Sequence, residues 1–391
     1  MDHVRALEQS MNPYPHYEAM RETAPVFHDE RTGIWQVFKY DDVHRVLSEH
    51  ATFSSQRPDD DQSETGRLFA ASLINTDPPR HRKLRSLVSQ AFTPKAVEAL
   101  APRIAEITEE LLDGFASAGT ADLVKEFAYP LPVIVIAELM GIPAEDRDRF
   151  KLWSDAIVST VTGDEGESGH ALHGEMVEYF LGMIEQRRRT PGHDLISALL
   201  AAEIDGQQLT VPELLGFCAL LLVAGNETTT NLIGNAVLTF TEHPGTVERL
   251  LAEPELLPHA IEEVLRYRSP VQAMYRAAAA DTMLGDQRIP AGSVLIAWIG
   301  SANRDPRQFE RAEEYDVDRP PFHHLAFGQG VHFCLGAPLA RLEARIALQA
   351  VLSRLPGLTV LPEPPLERVD STIVFGPKQL PISWQPTLST G

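Results

Sequence analysis

Cysteine is scarce in this chain: 391 residues hold only Cys218 and Cys334. Two cysteines cannot build a disulfide framework, and the compartment reads as reducing cytoplasm. Positive charge is short as well. Lys and Arg number 34 against 55 Asp and Glu, a formal net charge of −21. No global field therefore attracts phosphate, which argues against a nucleic-acid partner. Long apolar runs are missing. The longest, Leu214–Gly225 and Pro130–Gly141, fall short of the roughly 20 residues a bilayer span needs, so no membrane insertion is expected. Residues 1–20 carry acids, prolines and histidines with no apolar core, so no signal peptide is read and a cytoplasmic location is expected. Neither G-x-G-x-x-G nor G-x-x-x-x-G-K occurs, which removes the common nucleotide sites. No repeat and no Pro/Gly/Ser-rich linker divides the chain, and a single domain over residues 1–391 is expected.

Helical periodicity dominates what is present. Pro94 is followed by Val97, Leu100, Ile104, Ile107 and Leu111 at three-to-four spacing, which predicts one amphipathic helix. Glu175–Arg189 and Leu256–Tyr267 read the same way. The segment from Pro212 to about Thr241 is apolar nearly all round, the pattern of a long, central, buried helix. Strand signals are few: Ile34–Phe38, Val294–Ile299 and a short terminal segment, Ser371–Phe375. These elements predict a mainly α protein with a small β region and no βαβ alternation.

Three motifs carry chemistry. In Phe327-Gly328-Gln329-Gly330-Val331-His332-Phe333-Cys334-Leu335-Gly336, a lone cysteine follows a glycine-rich loop and precedes a helix over Leu339–Leu352. Glycines let backbone amides turn toward the sulfur, and the helix start favours thiolate over thiol. A thiolate so held suits an iron ligand that pushes electron density toward bound oxygen. Glu263-Val264-Leu265-Arg266 places two opposite charges on one helix face; alone it reads as an exposed ion pair worth under about 1 kcal/mol. Ala224-Gly225-Asn226-Glu227-Thr228-Thr229 lies inside the long helix. Its glycine and hydroxyl residues permit a local bend, and alone it reads equally as a polar stripe.

Together these segments resemble the cytochrome P450 superfamily, and the likeness runs over essentially the whole chain, in the style of its short prokaryotic members. Phe327, Gly330, His332, Cys334 and Gly336 match the pattern F-x-x-G-x-[RH]-x-C-x-G. The resemblance implies the cytochrome P450 fold, with haem b between the long central helix and the cysteine-loop helix, and Cys334 as its axial iron ligand. It implies that Arg319 completes a structural network with Glu263 and Arg266. Within A-G-x-[DE]-T it implies that Thr228 contacts the oxygen being activated and that Glu227 relays protons. His81 and Arg85, four apart on one helix face, with Arg276 and His332, would hold the haem propionates, and Phe327 belongs to the same cofactor site. Cys218 and the His323–His324 pair read as core and as non-metal residues.

The implied activity is a monooxygenase that uses O2 to hydroxylate or epoxidise a lipophilic small molecule. By the same resemblance its pocket is lined by Gln56–Ile74, the Trp153–His173 region, Val223, Ala224, Val271–Met274, Ile373 and Val374. No reductase is read after Cys334, so electrons are expected from a separate ferredoxin-type redox protein with its reductase. Arg80, Arg82, Lys83 and Arg85 crowd one short helix, and Arg341 and Arg345 follow Cys334. Arg82, Lys83 and Arg341 are the expected exposed members of a docking patch for an acidic ferredoxin. A peroxide-driven peroxygenase is disfavoured by the acid–alcohol pair Glu227-Thr228, and a haem-based sensor by the absence of any recognisable signalling segment.

Overall fold

The computed structural model describes residues 11–56, 72–161 and 167–386. Its helices are α1 (Tyr14–Thr23), α2 (Tyr40–Ser48), α3 (Arg80–Ala91), α4 (Pro94–Glu98), α5 (Ala101–Asp113), α6 (Pro130–Met140), α7 (Arg147–Val161), α8 (Glu167–Arg189), α9 (Leu195–Ala201), α10 (Val211–Glu242), α11 (Thr246–Ala252), α12 (Leu257–Tyr267), α13 (Ile299–Ala302) and α14 (Ala337–Arg354). The strands are β1 (Val26–Asp29), β2 (Ile34–Val37), β3 (Phe53–Ser54), β4 (Thr120–Asp122), β5 (Ala273–Ala278), β6 (Thr282–Leu284), β7 (Gln287–Ile289), β8 (Val294–Trp298), β9 (Thr359–Val360) and β10 (Pro381–Ser383). The mainly α expectation with a small β region holds.

Helix α10 is the axis of the molecule. Thr210 starts it: its hydroxyl accepts the Glu213 amide while the Glu213 carboxylate accepts the Thr210 amide at 2.8 Å. Pro212 costs nothing in the first turn, where no intrahelical bond is missed. Every residue from Thr229 to Phe240 is buried, as an all-round apolar helix requires. At 32 residues α10 is long and apolar enough to cross a membrane by length and composition, a length the separate apolar runs did not disclose. Its neighbours α6, α12 and α14 supply the apolar surroundings instead. Gly225 permits a close approach of α6, since a Cβ there would stand 3.0 Å from the Ile136 side chain.

A five-stranded sheet, ordered β1-β2-β8-β5-β3, packs to one side. Strands β2 and β8 are parallel with Trp35 opposite Leu295, and β5 runs antiparallel to β8 with Arg276 opposite Leu295. The two predicted strands that form, β2 and β8, are adjacent at its centre.

Two expectations fail locally. The helix predicted from Pro94 is two helices, broken at Ala99–Leu100, because Pro102 opens a new first turn and cannot continue the preceding hydrogen-bond ladder. Ser371–Phe375 is not a strand. The Ser371 hydroxyl accepts the amides of Ile373 and Val374 at 3.2 and 3.0 Å, which folds the segment, and only Val374 bridges to Val271.

Glu263, Arg266 and Arg319 form a buried network that ties α12 to the meander before the cysteine loop. Arg266 donates to both carboxylate oxygens at 2.7 and 2.8 Å, and Arg319 Nε donates to them at 3.0 and 3.1 Å. The remaining guanidinium hydrogens go to carbonyls of Asn303, Ala312, Glu310, Arg311 and Glu314. With Glu263 and Arg266 fully buried, this is not the exposed pair that E-x-x-R alone suggests. Glu263→Gln would leave two guanidiniums without their counter-ion, so a loss of about 3–5 kcal/mol is expected in urea unfolding; a loss below 1 kcal/mol would refute the network's structural role.

Candidate functional site

The segment between β8 and α14 brings the cysteine to the interior. Gly328 and Gly330 adopt φ of 71° and 72°, a region side chains disfavour. At Gly330 a Cβ would sit 2.9 Å from the Ser48 Cα of α2, so the loop passes too close to that helix for any other residue. The Phe327 carbonyl accepts the Cys334 amide at 2.8 Å, which curls the chain around the sulfur. Burial pushes the Cys334 thiol up, and the Gly336 amide, Arg85, the Ala337 amide and Arg341 oppose it. Those amides open α14, so the helix start stabilises a sulfur anion.

Cys334 lines a cavity of about 660 Å³, and so do all seven other predicted site residues: Glu227, Thr228, His81, Arg85, Arg276, Phe327 and His332. His81 and Arg85 project from α3, Arg276 from β5 and His332 from the loop itself. The His81 and His332 ring centroids are 4.2 Å apart. Both His81 ring nitrogens and His332 Nε2 are buried without a hydrogen-bond partner. Burial, with Arg85 next, pushes His81 down to about 4; burial, Arg276 and His81 push His332 down to about 3. Burial lowers Arg276 to about 10. The cluster is thus a concentration of cations and unused ring nitrogens that an anionic ligand would complete. A sulfur ligand on the wall and a cluster of donors for two carboxylates fit haem b and its propionates.

On α10, burial pushes Glu227 up to about 7. The Thr228 hydroxyl donates to the Ala224 carbonyl at 2.7 Å, and α10 continues through this turn without a break. The Asn231 side chain donates to the Glu227 carbonyl at 2.8 Å.

The rest of the wall is mostly apolar. Val223, Ala224, Val271, Met274, Ile373 and Val374 line it as expected. Of Gln56–Ile74, residues 57–71 lie outside the described residues, while Leu73 and Ile74 reach the cavity. Of Trp153–His173, residues 162–166 lie outside the described residues, and Trp153 packs against Tyr179 and Phe180. Cys218 is buried in the core, its thiol pushed up to about 12. Among the described residues no His, Cys, Asp and Glu group could hold a metal ion by itself, and His324 donates to Glu262.

Two residues escaped the sequence reading. Glu343 of α14 is buried on the cavity wall with Oε2 unpartnered, and burial pushes it up to about 8. Its amphipathic helix position resembles an ordinary exposed site, so no sequence signal marks it. Glu262 pairs with Arg341 at 2.7 and 2.8 Å, and this corrects the docking patch: Arg341 is half-buried and its charge is already met. Arg80 pairs with Glu213 and Lys83 bonds Gln207, which leaves Arg82 as the exposed cation of the expected trio.

Comparisons with known proteins agree with this geometry. A family model described as Cytochrome P450 matches residues 6–384. A putative cytochrome P450, YjiB of Bacillus subtilis, is 45% identical, with 95% of this chain and 93% of that protein covered. The monooxygenase PikC of Streptomyces venezuelae is 40% identical, covering 96% and 91%. A crystal structure of CYP109E1 from Bacillus megaterium in complex with testosterone is 46% identical, covers 96% of this chain and 99% of that one, and superposes with a TM-score of 0.87.

Proposed function

Since the chain belongs to the cytochrome P450 family and is a monooxygenase using haem b and O2 on a small molecule, we propose that Cys334 is the axial thiolate of its haem. When bound, the haem supplies reductive oxygen activation, with one oxygen atom entering the substrate and the other leaving as water. The chain itself supplies ligation, charge, protons and a shaped cavity. The observation that carries the reading is the convergence of Cys334, the cationic cluster and the Glu227-Thr228 pair on one cavity.

His81, Arg85, Arg276 and His332 hold the propionates, which use the unpartnered ring nitrogens and neutralise the cations. Phe327 holds the sulfur loop closed through its carbonyl. Glu227, raised to about 7, is close to half protonated at neutral pH and can both give and regain a proton. Thr228 keeps its own hydrogen on Ala224 and offers oxygen lone pairs to a donor in the cavity. The substrate is lipophilic and of about steroid size: the wall is apolar apart from this polar strip, and the cavity of about 660 Å³ is shared between haem and substrate. The testosterone complex of the Bacillus megaterium relative supports that size class, and hydroxylation or epoxidation is the expected outcome. A ferredoxin-type protein with its reductase supplies electrons in the cytoplasm, and the whole chain acts as one domain.

Cys334→His is expected to abolish the red-shifted absorption band of the reduced carbon monoxide adduct, and Cys218→Ala to leave it intact. The reverse pattern would remove the ligand assignment. Glu227 acts in its protonated form, whose population falls as pH rises through about 7. Turnover should therefore decline across that range. Glu227→Gln should lower it about 10²-fold and flatten the decline while substrate still shifts the haem spectrum; a mutant that keeps the wild-type pH profile would show that the proton comes from elsewhere. Thr228→Ala should divert reducing equivalents to peroxide, measured as product formed per electron consumed. Supplying peroxide in place of reductant should give little product; equal yields would favour a peroxygenase.

A further inference from the structure

Neighbouring glutamates on α12 are committed in different directions. Glu263 closes the buried arginine network. Glu262 turns toward the cysteine loop, where its carboxylate accepts Arg341 Nε at 2.7 Å and Nη2 at 2.8 Å, a two-point pairing with α14. It also accepts His324 Nε2 at 3.1 Å. Nδ1 of that ring accepts the Ala326 amide at 3.2 Å, so the ring hydrogen sits on Nε2 and points at the carboxylate. Burial pushes Glu262 up, but the bonds from Arg341 and His324 outweigh it and hold the carboxyl at about 2. It is therefore an anion throughout the neutral range.

These partners stand on both flanks of the sulfur. His324 precedes Phe327 on the way into the loop, and Arg341 lies on the helix that leaves Cys334. The Arg341 guanidinium rests 4.5 Å from the centre of the Phe327 ring, and the Phe327 carbonyl holds the Cys334 amide. Arg341 and Cys334 also sense each other's charge: a Cys334 anion favours the Arg341 cation, and the cation favours the anion. Unpaired, Arg341 would be one full positive charge drawing on the sulfur. Paired with Glu262 much of that pull is offset, and its plane is fixed on Phe327.

We propose that Glu262 is a positioning residue for the thiolate, fixing the cysteine loop through His324 and Arg341 and cancelling the Arg341 charge that would otherwise draw electron density from the sulfur. This rests on Cys334 being the iron ligand. Glu262 touches neither cofactor nor substrate; it acts through Arg341.

The test is the midpoint potential of the substrate-free holoenzyme, read by spectroelectrochemical titration of Glu262→Gln, Arg341→Gln and the double variant. Reduction adds negative charge, so an uncompensated cation favours the reduced state. Glu262→Gln is expected to raise the potential, shifting the oxidised-to-reduced ratio by about threefold or more, which is ~28 mV at 59 mV per tenfold change. Arg341→Gln leaves the anion uncompensated and should lower the potential. The double variant should return to the wild-type value. A purely structural role would move both single variants in the same direction, with the double at least as far. That pattern, or unchanged potentials in both, overturns the proposal. Should Glu262→Gln not retain haem, Arg341→Gln decides: a lowered potential supports the proposal, and an unchanged or raised one overturns it. A wild-type carbon monoxide adduct without the red-shifted band would instead remove the premise, Cys334 ligation, independently of these shifts.

Discussion

A sulfur anion at Cys334, which the proposed iron ligation requires inside an apolar interior, is the constraint around which the neighbouring elements are placed. Burial alone pushes the thiol up, and an isolated charge in a low-dielectric interior is costly. Against burial, the larger effect, the chain aims amides of Gly336 and Ala337 at the sulfur and keeps Arg85 and Arg341 within electrostatic reach. Each device needs a particular piece of backbone. The amides require α14 to begin immediately after the cysteine, and the loop must fold back at Gly328 and Gly330 to present it. Gly330 has to pass over Ser48 with no side chain between them. The Glu263 network holds the meander that delivers the loop, so a fully buried carboxylate with two guanidiniums serves a site it does not touch.

The same side-chain chemistry has two fates among four buried or half-buried glutamates near the cavity. Glu262 and Glu263 have arginine partners, and Glu262 stays ionised with its carboxyl at about 2. Glu227 and Glu343 have none, and burial pushes them up to about 7 and about 8. The difference is the partner and not the depth. Of these, Glu227 and Glu343 titrate near neutral pH, and Glu262 acts as a fixed charge. An enzyme that must both anchor an anion and deliver protons needs both kinds within one helical layer. The fold places the paired glutamates on α12 and the unpaired Glu227, the proposed proton relay, on α10.

Much of this was legible in the sequence because it is local or periodic. The cysteine loop carries its glycines at fixed spacing, α10 shows apolar residues on every face, and His81 and Arg85 sit one turn apart on α3. Those patterns survive folding, and the eight residues nominated through the family resemblance they carry meet at one cavity. What was not legible depends on contacts between distant segments. The pairing of Arg341 with Glu262 spans 79 positions, so no reading of charge along α14 could show that Arg341 is already neutralised. Strands such as β3 and β9, two residues each, are created by their partners and leave no alternation to detect. Hydrophobic spacing runs straight through Pro102, so periodicity hides the break that its missing amide causes. Ser371 failed differently: β-branched neighbours suggested extension, while its hydroxyl had two amides within reach.

The distribution of polarity also limits what substrates can do inside the cavity. Cations cluster where His81, Arg85, Arg276 and His332 meet, and an anionic cofactor group would consume them. The acid and hydroxyl of α10 occupy a single turn. Val223, Val271, Met274, Ile373 and Val374 supply mainly shape, and apolar walls discriminate weakly, by about 1–3 kcal/mol for a methylene gained or lost. Strong selectivity would need a buried polar group dedicated to the substrate. Ser371 is partly spent on its own turn, and Thr228 is bonded to Ala224. A cavity built this way would seat the proposed lipophilic molecule chiefly by its outline, with the unpartnered Glu343 Oε2 and the free lone pairs of Thr228 as polar atoms on the described wall that a substrate can still meet.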